Sequence, residues 1–317
     1  MPETVAPKFL VVTAIPPDLR SALAQRYALS DLGDATPAAG CAVAVTTSMR
    51  GFDRALFERM PDLRLILCNG AGLDGIDLVA ARARRVAVCH TPDELAEDVA
   101  EAAIALTYAI MRRVAEADRF VRAGRWRSER MAPSRRVAGK HMGIVGLGRI
   151  GRRVAQHATG IAMQVGYFGR RPVADAPYPF VPSLGDLATQ ADVLVLSCPG
   201  GEATRGLVDR DVLARLGPAG YLVNVARGSV VDEAALLEAL TQRTIAGAAL
   251  DVYASEPAID PRFAALDNVV LEPHSASITH ETRAAMIARL LGDIDAFLAG
   301  RPFHDAAAID PAARKGQ

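Results

Sequence analysis

The chain has 317 residues, of which 50% are hydrophobic and 23% are charged, and its 36 Lys and Arg residues balance 36 Asp and Glu residues. At roughly 150 residues per domain, this length predicts two domains, each large enough for its own core. The zero net charge argues against a nucleic-acid partner, and the apolar fraction excludes a mainly disordered chain.

The composition also predicts the environment of the protein. No basic segment followed by a long apolar stretch opens the sequence, and no run of about 18 apolar residues occurs. The four cysteines include no C-x-x-C pair, which favours reduced, buried thiols. No cluster of His, Cys and carboxylate residues has metal-ligand spacing. We therefore expect a cytoplasmic protein without a metal that binds neither membranes nor nucleic acid.

Ten short apolar runs separated by helix-length stretches predict an α/β fold with parallel sheets. Most of these runs are continuously apolar, as expected for strands that are covered on both faces. The predicted strands are 9–12, 42–46, 65–68, 86–89, 142–145, 165–168, 193–197, 221–225, 246–250 and 269–271.

One helix has an unusually clear predicted start. Thr91-Pro92-Asp93-Glu94 places a capping Thr, a first-turn Pro and a Glu at capping-box spacing. Apolar residues then recur every three or four positions to about Val121, and Gly124 is a plausible stop. The basic segment 125–140 is interpreted as an arm or loop.

A glycine-rich motif follows the strand at 142–145. Residues 143–151 read GIVGLGRIG, a G-x-G-x-x-G motif between a predicted strand and a predicted helix. In such a motif the glycines allow a tight turn, close approach of a pyrophosphate and close helix packing, and the helix N-terminus attracts phosphate. The context predicts a dinucleotide site, while a flavin, an S-adenosyl ligand or a purely structural turn stay open as alternatives.

The end of the next strand bears on the choice of dinucleotide. An NAD site normally has Asp or Glu there, whereas this chain reads Gly169-Arg170-Arg171. Two guanidinium groups without a carboxylate favour the 2′-phosphate of NADP over NAD. The alternative is a pair of solvated surface arginines.

Polar residues follow three later strands, at the sheet edge where α/β proteins bind ligands. These residues are Arg227, the pair Asp251 and Glu256, and His274. An Arg can hold a carboxylate through its planar fork, a His can supply a proton, and a Glu can orient the His. The three segments together predict a reduction site.

Six segments resemble the D-isomer-specific 2-hydroxyacid dehydrogenases in order, spacing and local sequence. They are NGAGLDGID (69–77), TPDELAEDVAE (91–101), GIVGLGRIG (143–151), NVARGSVVDE (224–233), LDVYASEP (250–257) and EPHSASITHETR (272–283). Together with GRRP (169–172), they look most like the glyoxylate/hydroxypyruvate reductase branch, which includes the plant hydroxyphenylpyruvate reductases and usually prefers NADPH.

The resemblance implies two doubly wound parallel-sheet domains. A Rossmann cofactor domain would span 98–284, and a smaller flavodoxin-like substrate domain would span 1–97 and be completed by 285–317. The resemblance also implies a homodimer formed through the long helix and the 125–140 arm.

The family's site residues carry over position by position. Arg227 would bind substrate, His274 would donate a proton with the help of Glu256, and the backbone N–H groups of Ala71 and Gly72 would hold a carboxylate as a nest does. An ordinary glycine turn is the alternative for that loop. The implied cofactor contacts are Gly146, Leu147, Gly148, Arg149, Ile150, Gly151, Gly169, Arg170, Arg171, Cys198, Pro199, Val225, Ala226, Asp251 and Ala276.

The reaction that the resemblance implies is NADPH-dependent reduction of a small 2-oxo acid, of the glyoxylate or hydroxypyruvate type, to the D-2-hydroxy acid. Two alternatives stay open. One is a dehydrogenase of the same family for phosphoglycerate or a bulkier aryl- or alkyl-pyruvate, and the other is a nucleotide-sensing scaffold like the corepressors that share the fold. The chain departs from the family pattern at Ser275, where relatives commonly have Gly, and at residues 197–201, which lack the usual Leu-Thr. These departures bear on substrate preference rather than on the reaction type.

Overall fold

The computed structural model describes residues 7–33, 38 and 40–301. The contacts divide the chain into a first unit, residues 1–95 with 279–317, and a second unit, residues 96–278. The predicted borders, after residues 97 and 284, lie two and six residues further along the chain. Within the described ranges, no helix is both long and apolar enough to span a bilayer.

The strands and helices alternate along most of the chain. The strands are β1 (Lys8–Val11), β2 (Leu29–Asp31), β3 (Cys41–Thr47), β4 (Leu65–Asn69), β5 (Ala87–Cys89), β6 (His141–Val145), β7 (Gln164–Phe168), β8 (Val193–Leu196), β9 (Tyr221–Asn224), β10 (Gly247–Leu250) and β11 (Val269–Leu271). The helices are α1 (Pro17–Ala24), α2 (Arg54–Arg59), α3 (Leu78–Ala83), α4 (Ala96–Met111), α5 (Val114–Arg122), α6 (Arg149–Gly160), α7 (Leu184–Gln190), α8 (Arg210–Leu216), α9 (Glu233–Thr241) and α10 (His280–Leu298).

The first unit contains a parallel sheet in the order β2-β1-β3-β4-β5, which is the flavodoxin-like order. Successive strand residues face opposite sides of the sheet. Phe9 and Val43 pack on the side of α1 and α10, whereas Leu10 and Ile66 pack on the side of α2 and α3. Both faces are therefore covered, which explains why these strands are continuously apolar.

The second unit contains a parallel sheet in the order β11-β10-β9-β8-β6-β7. The strand β6 pairs with β7 on one side and with β8 on the other, so the chain changes direction across the sheet at β6. Ligands of α/β sheets bind beyond the carboxyl ends of the strands at such a switch point. The predicted fold class, two doubly wound parallel sheets, is confirmed.

All ten predicted strands are present, but the sequence interpretation missed β2. This strand pairs with β1 at the edge of the sheet, with Leu29 opposite Phe9. Its sequence is Leu-Ser-Asp, and Ser30 and Asp31 are exposed, so no apolar run marks it.

The predicted helix from Thr91 is wrong in its start and in its continuity. Thr91 accepts a hydrogen bond from Gly70 N at 3.1 Å through Oγ1 and donates its own N–H to Gly70 O at 3.0 Å, so its capping groups are already used. The helix α4 begins instead at Ala96. Arg113 adopts a left-handed backbone with φ 56°, which separates α4 from α5.

The predicted stop and arm are confirmed. Gly124 follows α5 with φ 71°. A short 3₁₀ helix spans Arg125–Arg127, and no further regular element precedes β6 in this fully described stretch.

Candidate active site

Two of the predicted catalytic side chains form a hydrogen-bonded pair in the second unit. His274 Nδ1 lies 2.7 Å from Glu256 Oε2. The other carboxylate oxygen, Oε1, accepts the N–H of Tyr253 at 2.8 Å. The side chain of Glu256 is only 16% exposed and that of His274 is 27% exposed, so the pair is partly shielded from water.

The environment keeps Glu256 ionised. Burial alone would raise its pKa, but hydrogen bonds from His274 and the Tyr253 N–H, with the positive charges of His274 and Arg227, outweigh burial and hold the pKa below its ordinary value. An ionised carboxylate can only accept hydrogen bonds, so Nδ1 of His274 must carry the proton between the two groups. Nε2 is then the ring atom that can exchange a proton with a ligand.

The end of β11 sets the position of His274. Beyond the paired residues of β10 and β11, Glu272 N donates to Leu250 O at 2.8 Å and His274 N donates to Asp251 O at 2.9 Å. His274 itself has a left-handed backbone with φ 54°. This conformation is sparsely populated and persists only where the surroundings impose it.

Arg227 follows β9 in a turn closed by Asn224. The buried Asn224 side chain accepts the N–H of Ala226 through Oδ1 and donates to Arg227 O through Nδ2, both at 3.0 Å. The next residue, Gly228, allows a close approach, because a Cβ there would lie 1.8 Å from the carbonyl carbon of Tyr253. The Gly228 contact therefore brings the Arg227 turn against the segment that leads to Glu256.

Asp251, predicted near the cofactor, is 2% exposed. Its Oδ1 accepts the N–H groups of Ser275 at 2.7 Å and Ala276 at 3.2 Å. Burial raises the pKa of Asp251 despite these two bonds and the charge of His274. Ser275 Oγ donates to Glu272 Oε2 at 2.7 Å, so the hydroxyl that distinguishes this chain is engaged with a neighbouring carboxylate.

The glycine-rich turn has the geometry that a dinucleotide requires. Gly146 has φ 95°, and a Cβ on it would lie 2.8 Å from Cys198 Cα. A Cβ on Gly151 would lie 2.0 Å from Gly146 O, whereas Gly148, at the start of α6, faces open space. The turn is thus tight where the protein packs and open at the helix N-terminus, which fits a bound pyrophosphate.

The other predicted cofactor contacts surround this turn. Gly146 N donates to Phe168 O at 2.8 Å, which ties the turn to the end of β7, directly before Gly169, Arg170 and Arg171. Both arginines are exposed. Cys198 is 9% exposed, and burial raises the pKa of its thiol to about 11.

The remaining predicted contacts differ in their exposure. Leu147, Val225 and Ala226 are buried, Ile150 is half-buried, and Arg149 and Pro199 are exposed.

The predicted carboxylate loop, residues 69–74, leaves β4 in the first unit. Its carbonyl groups point to the protein: Ala71 O accepts from His90 Nδ1 at 2.8 Å, and Gly70 O accepts from Thr91 N at 3.0 Å. Within the described ranges, the N–H groups of Ala71 and Gly72 donate to no protein acceptor. Such a loop can bind an anion through its main chain.

Comparison with known proteins identifies the family. A family model described as the NAD-binding domain of D-isomer-specific 2-hydroxyacid dehydrogenases matches residues 104–276, more than half of the chain. The chain belongs to this family.

Relatives with named activities agree with this assignment to the D-2-hydroxyacid dehydrogenases. Glyoxylate/hydroxypyruvate reductase A of Arabidopsis thaliana is 41% identical over 257 residues, which cover 81% of this chain and 82% of that protein. The 2-ketogluconate reductase of Gluconobacter oxydans is 43% identical over 247 residues, covering 78% and 80%.

A solved structure shares the fold along nearly the whole chain. It is an NADPH-dependent glyoxylate/hydroxypyruvate reductase from Sinorhizobium meliloti in complex with NADP and malonate, and it matches with a TM-score of 0.90 at 33% identity, covering 97% of this chain and 98% of its own. The predicted family is confirmed, and the protein is an oxidoreductase with a pyridine-nucleotide domain.

A cavity of about 390 Å³ lies elsewhere in the second unit of the dehydrogenase. It is lined by Tyr221 and Val269, at the starts of β9 and β11, and by Arg113 between α4 and α5 and Arg135 before β6, and by none of the predicted site residues. The candidate catalytic groups follow the opposite ends of these strands.

In the part of the chain that the structure describes, no three His, Cys, Asp or Glu side chains are grouped so as to hold a metal ion.

The sequence interpretation missed three residues that support the site. Asn224 closes the Arg227 turn, and Gly228 allows the approach to Tyr253. Ser197 Oγ donates to Gly146 O at 2.8 Å and so holds the glycine-rich turn. The signal for Asn224 was available, since an amide at the end of an apolar strand must find hydrogen-bond partners when buried.

The lowered pKa of Glu256 predicts a pH-dependent contribution to stability. Because the folded-state pKa lies below the ordinary value of 4.5, the carboxylate stabilises the fold above about pH 4.5, and this contribution is lost as the pH falls through the folded-state pKa. We expect the difference in unfolding free energy between wild type and Glu256→Gln, measured in urea, to narrow from about pH 5.5 to pH 3.5. A difference that stays constant or widens contradicts the assignment.

Proposed function

We propose that the protein catalyses NADPH-dependent reduction of a small 2-oxo acid, of the glyoxylate or hydroxypyruvate type, to the D-2-hydroxy acid. The observation that carries the proposal is the hydrogen bond between His274 Nδ1 and Glu256 Oε2, which leaves Nε2 of the same ring for proton transfer. The names of the relatives support the class of substrate.

His274 supplies the proton in the proposed reaction. A reduced nicotinamide cofactor held at the glycine-rich turn of Gly146, Gly148 and Gly151 would supply a hydride to the keto carbon of the substrate. His274 Nε2 protonates the keto oxygen, so that the carbonyl becomes an alcohol, and solvent then restores the proton of the ring. Glu256 holds the ring in one orientation and stabilises its positive charge before transfer.

Donors for the oxygens of the substrate are assigned in each unit separately. The N–H groups of Ala71 and Gly72 supply donors without a side-chain charge. Arg227 supplies a planar cation that can bind a carboxylate or a carbonyl oxygen. Holding a substrate oxygen on Arg227, in the same unit as His274, would limit the orientations of the keto carbon, which accelerates transfer by proximity.

The preference for NADPH over NADH is assigned to Arg170 and Arg171. Both side chains are exposed at the end of β7, in the segment tied to the glycine-rich turn. An Asp or Glu that could bind the ribose 2′-hydroxyl is missing from residues 169–173, all of which are described. A guanidinium pair suits the 2′-phosphate.

Cytoplasmic location and a homodimer formed through the 125–140 arm stay predictions.

The first test is initial-rate reduction of glyoxylate, hydroxypyruvate, phenylpyruvate and 2-ketogluconate, each with NADPH and with NADH. We expect the highest kcat/KM with NADPH and one of the two small acids. A preference for phenylpyruvate or 2-ketogluconate would contradict the proposed substrate class but would leave the proposed reaction, reduction of a 2-oxo acid, in place. No turnover in protein that binds NADPH would support the nucleotide-sensing scaffold instead.

The combined substitution Arg170→Asp and Arg171→Ala tests the cofactor assignment. Because charged hydrogen bonds to the 2′-phosphate are lost, we expect the Kd for NADPH to rise about ten- to a hundredfold and the Kd for NADH to change little, as measured by fluorescence titration. Arg122→Ala, which removes a surface arginine paired with Asp118, is the control. Equal weakening of both cofactors would rule out the assignment.

The substitution His274→Gln tests the proton donor. We expect kcat to fall at least about a hundredfold while NADPH still binds with an unchanged Kd. The control is His141→Gln, which changes an exposed histidine at the start of β6 in the same unit. Wild-type turnover in His274→Gln would exclude His274 as the donor.

A further inference from the structure

Tyr253 contacts all three segments that carry the predicted catalytic residues. It follows β10 and is 7% exposed, and its ring packs against the buried Phe263 with centroids 6.3 Å apart. We propose that Tyr253 is the positioning residue that holds Arg227, Glu256 and His274 in their relative places. This inference rests on the proposed function.

The main-chain N–H of Tyr253 fixes the orientation of the Glu256 carboxylate. It donates to Glu256 Oε1 at 2.8 Å, while Oε2 of the same carboxylate faces His274. With one oxygen held by a main-chain donor, the carboxylate cannot rotate freely about its terminal bond. The direction of Oε2 toward His274 is therefore set by Tyr253.

The hydroxyl of Tyr253 joins the ends of β10 and β11. It lies 3.0 Å from Leu250 O and 2.9 Å from Glu272 O, and its single proton is shared between these two acceptors. The hydroxyl thus links the carboxyl ends of the two strands, two residues before His274.

The hydroxyl remains a donor throughout the physiological range. Burial, followed by the charges of Asp251, Glu272 and Glu256, raises the pKa of Tyr253 to about 12. Ionisation of the hydroxyl therefore does not break the link between the two strands near neutral pH.

The carbonyl group of Tyr253 meets the Arg227 turn. A Cβ on Gly228 would lie 2.0 Å from Tyr253 O, so the two main chains are in direct contact. A shift of Tyr253 would therefore move the residue next to Arg227 as well as the partner of Glu256. One side chain and its peptide groups thus set the geometry of three loops.

The test compares Tyr253→Phe with Tyr221→Phe. The first variant removes the shared hydroxyl and keeps the ring, and the second removes a hydroxyl at the start of β9, at the far end of the same sheet. For Tyr253→Phe we expect kcat to fall about three- to tenfold with the substrate KM and the NADPH Kd within twofold of wild type. We also expect a larger ratio of kcat in H₂O to kcat in D₂O, because a misplaced donor makes proton transfer slower. Tyr221→Phe should match wild type in both quantities.

A spectroscopic measurement separates this proposal from the proposed function. In protein with ¹⁵N-labelled histidine, the Nδ1–H proton of His274 should give a low-field resonance that Glu256→Gln abolishes. We expect Tyr253→Phe to shift or broaden this resonance and Tyr221→Phe to leave it unchanged. If no 2-oxo acid is reduced but the resonance responds, the proposed function fails and the positioning role stands. If the resonance is absent in wild type, or if neither it nor kcat responds to Tyr253→Phe, the positioning role is overturned.

Discussion

Burial opposes the ionisation of a carboxylate, and the candidate active site of the second unit is organised around keeping Glu256 ionised. Three favourable influences act against burial: a main-chain N–H, the imidazole of His274 and the charge of Arg227. Each comes from a different strand end. The ionised state of Glu256 therefore depends on the alignment of β9, β10 and β11.

The register of the sheet provides that alignment. Asn224, Leu250 and Leu271 lie side by side in one row across the three strands. Arg227 and His274 each follow three residues after this row, and Glu256 follows six residues after it. Short connections of this kind leave little conformational freedom, so the register of the buried strands fixes the relative positions of the polar groups that follow them.

The sequence predicts the elements well because their cause is local. Covered parallel strands need continuous apolar runs, and polar residues directly after such runs point to the ligand-binding edge, which is how Arg227, Glu256 and His274 were selected. The strand β2 was not predicted because an exposed edge strand needs no apolar run. The capping box at Thr91 predicted the wrong helix start because Thr91 is hydrogen-bonded to Gly70, 21 residues earlier, and no local sequence pattern indicates that contact. The break at Arg113 carries neither Gly nor Pro, the residues that usually mark one.

The burial of the Cys198 thiol beside the glycine-rich turn has a chemical consequence. With a pKa of about 11, only about one Cys198 side chain in ten thousand is a thiolate at pH 7. The thiolate is the form that reacts with peroxides, disulfides and alkylating agents. The dehydrogenase therefore carries a cysteine beside its predicted cofactor site that reacts only slowly with oxidants and electrophiles at neutral pH.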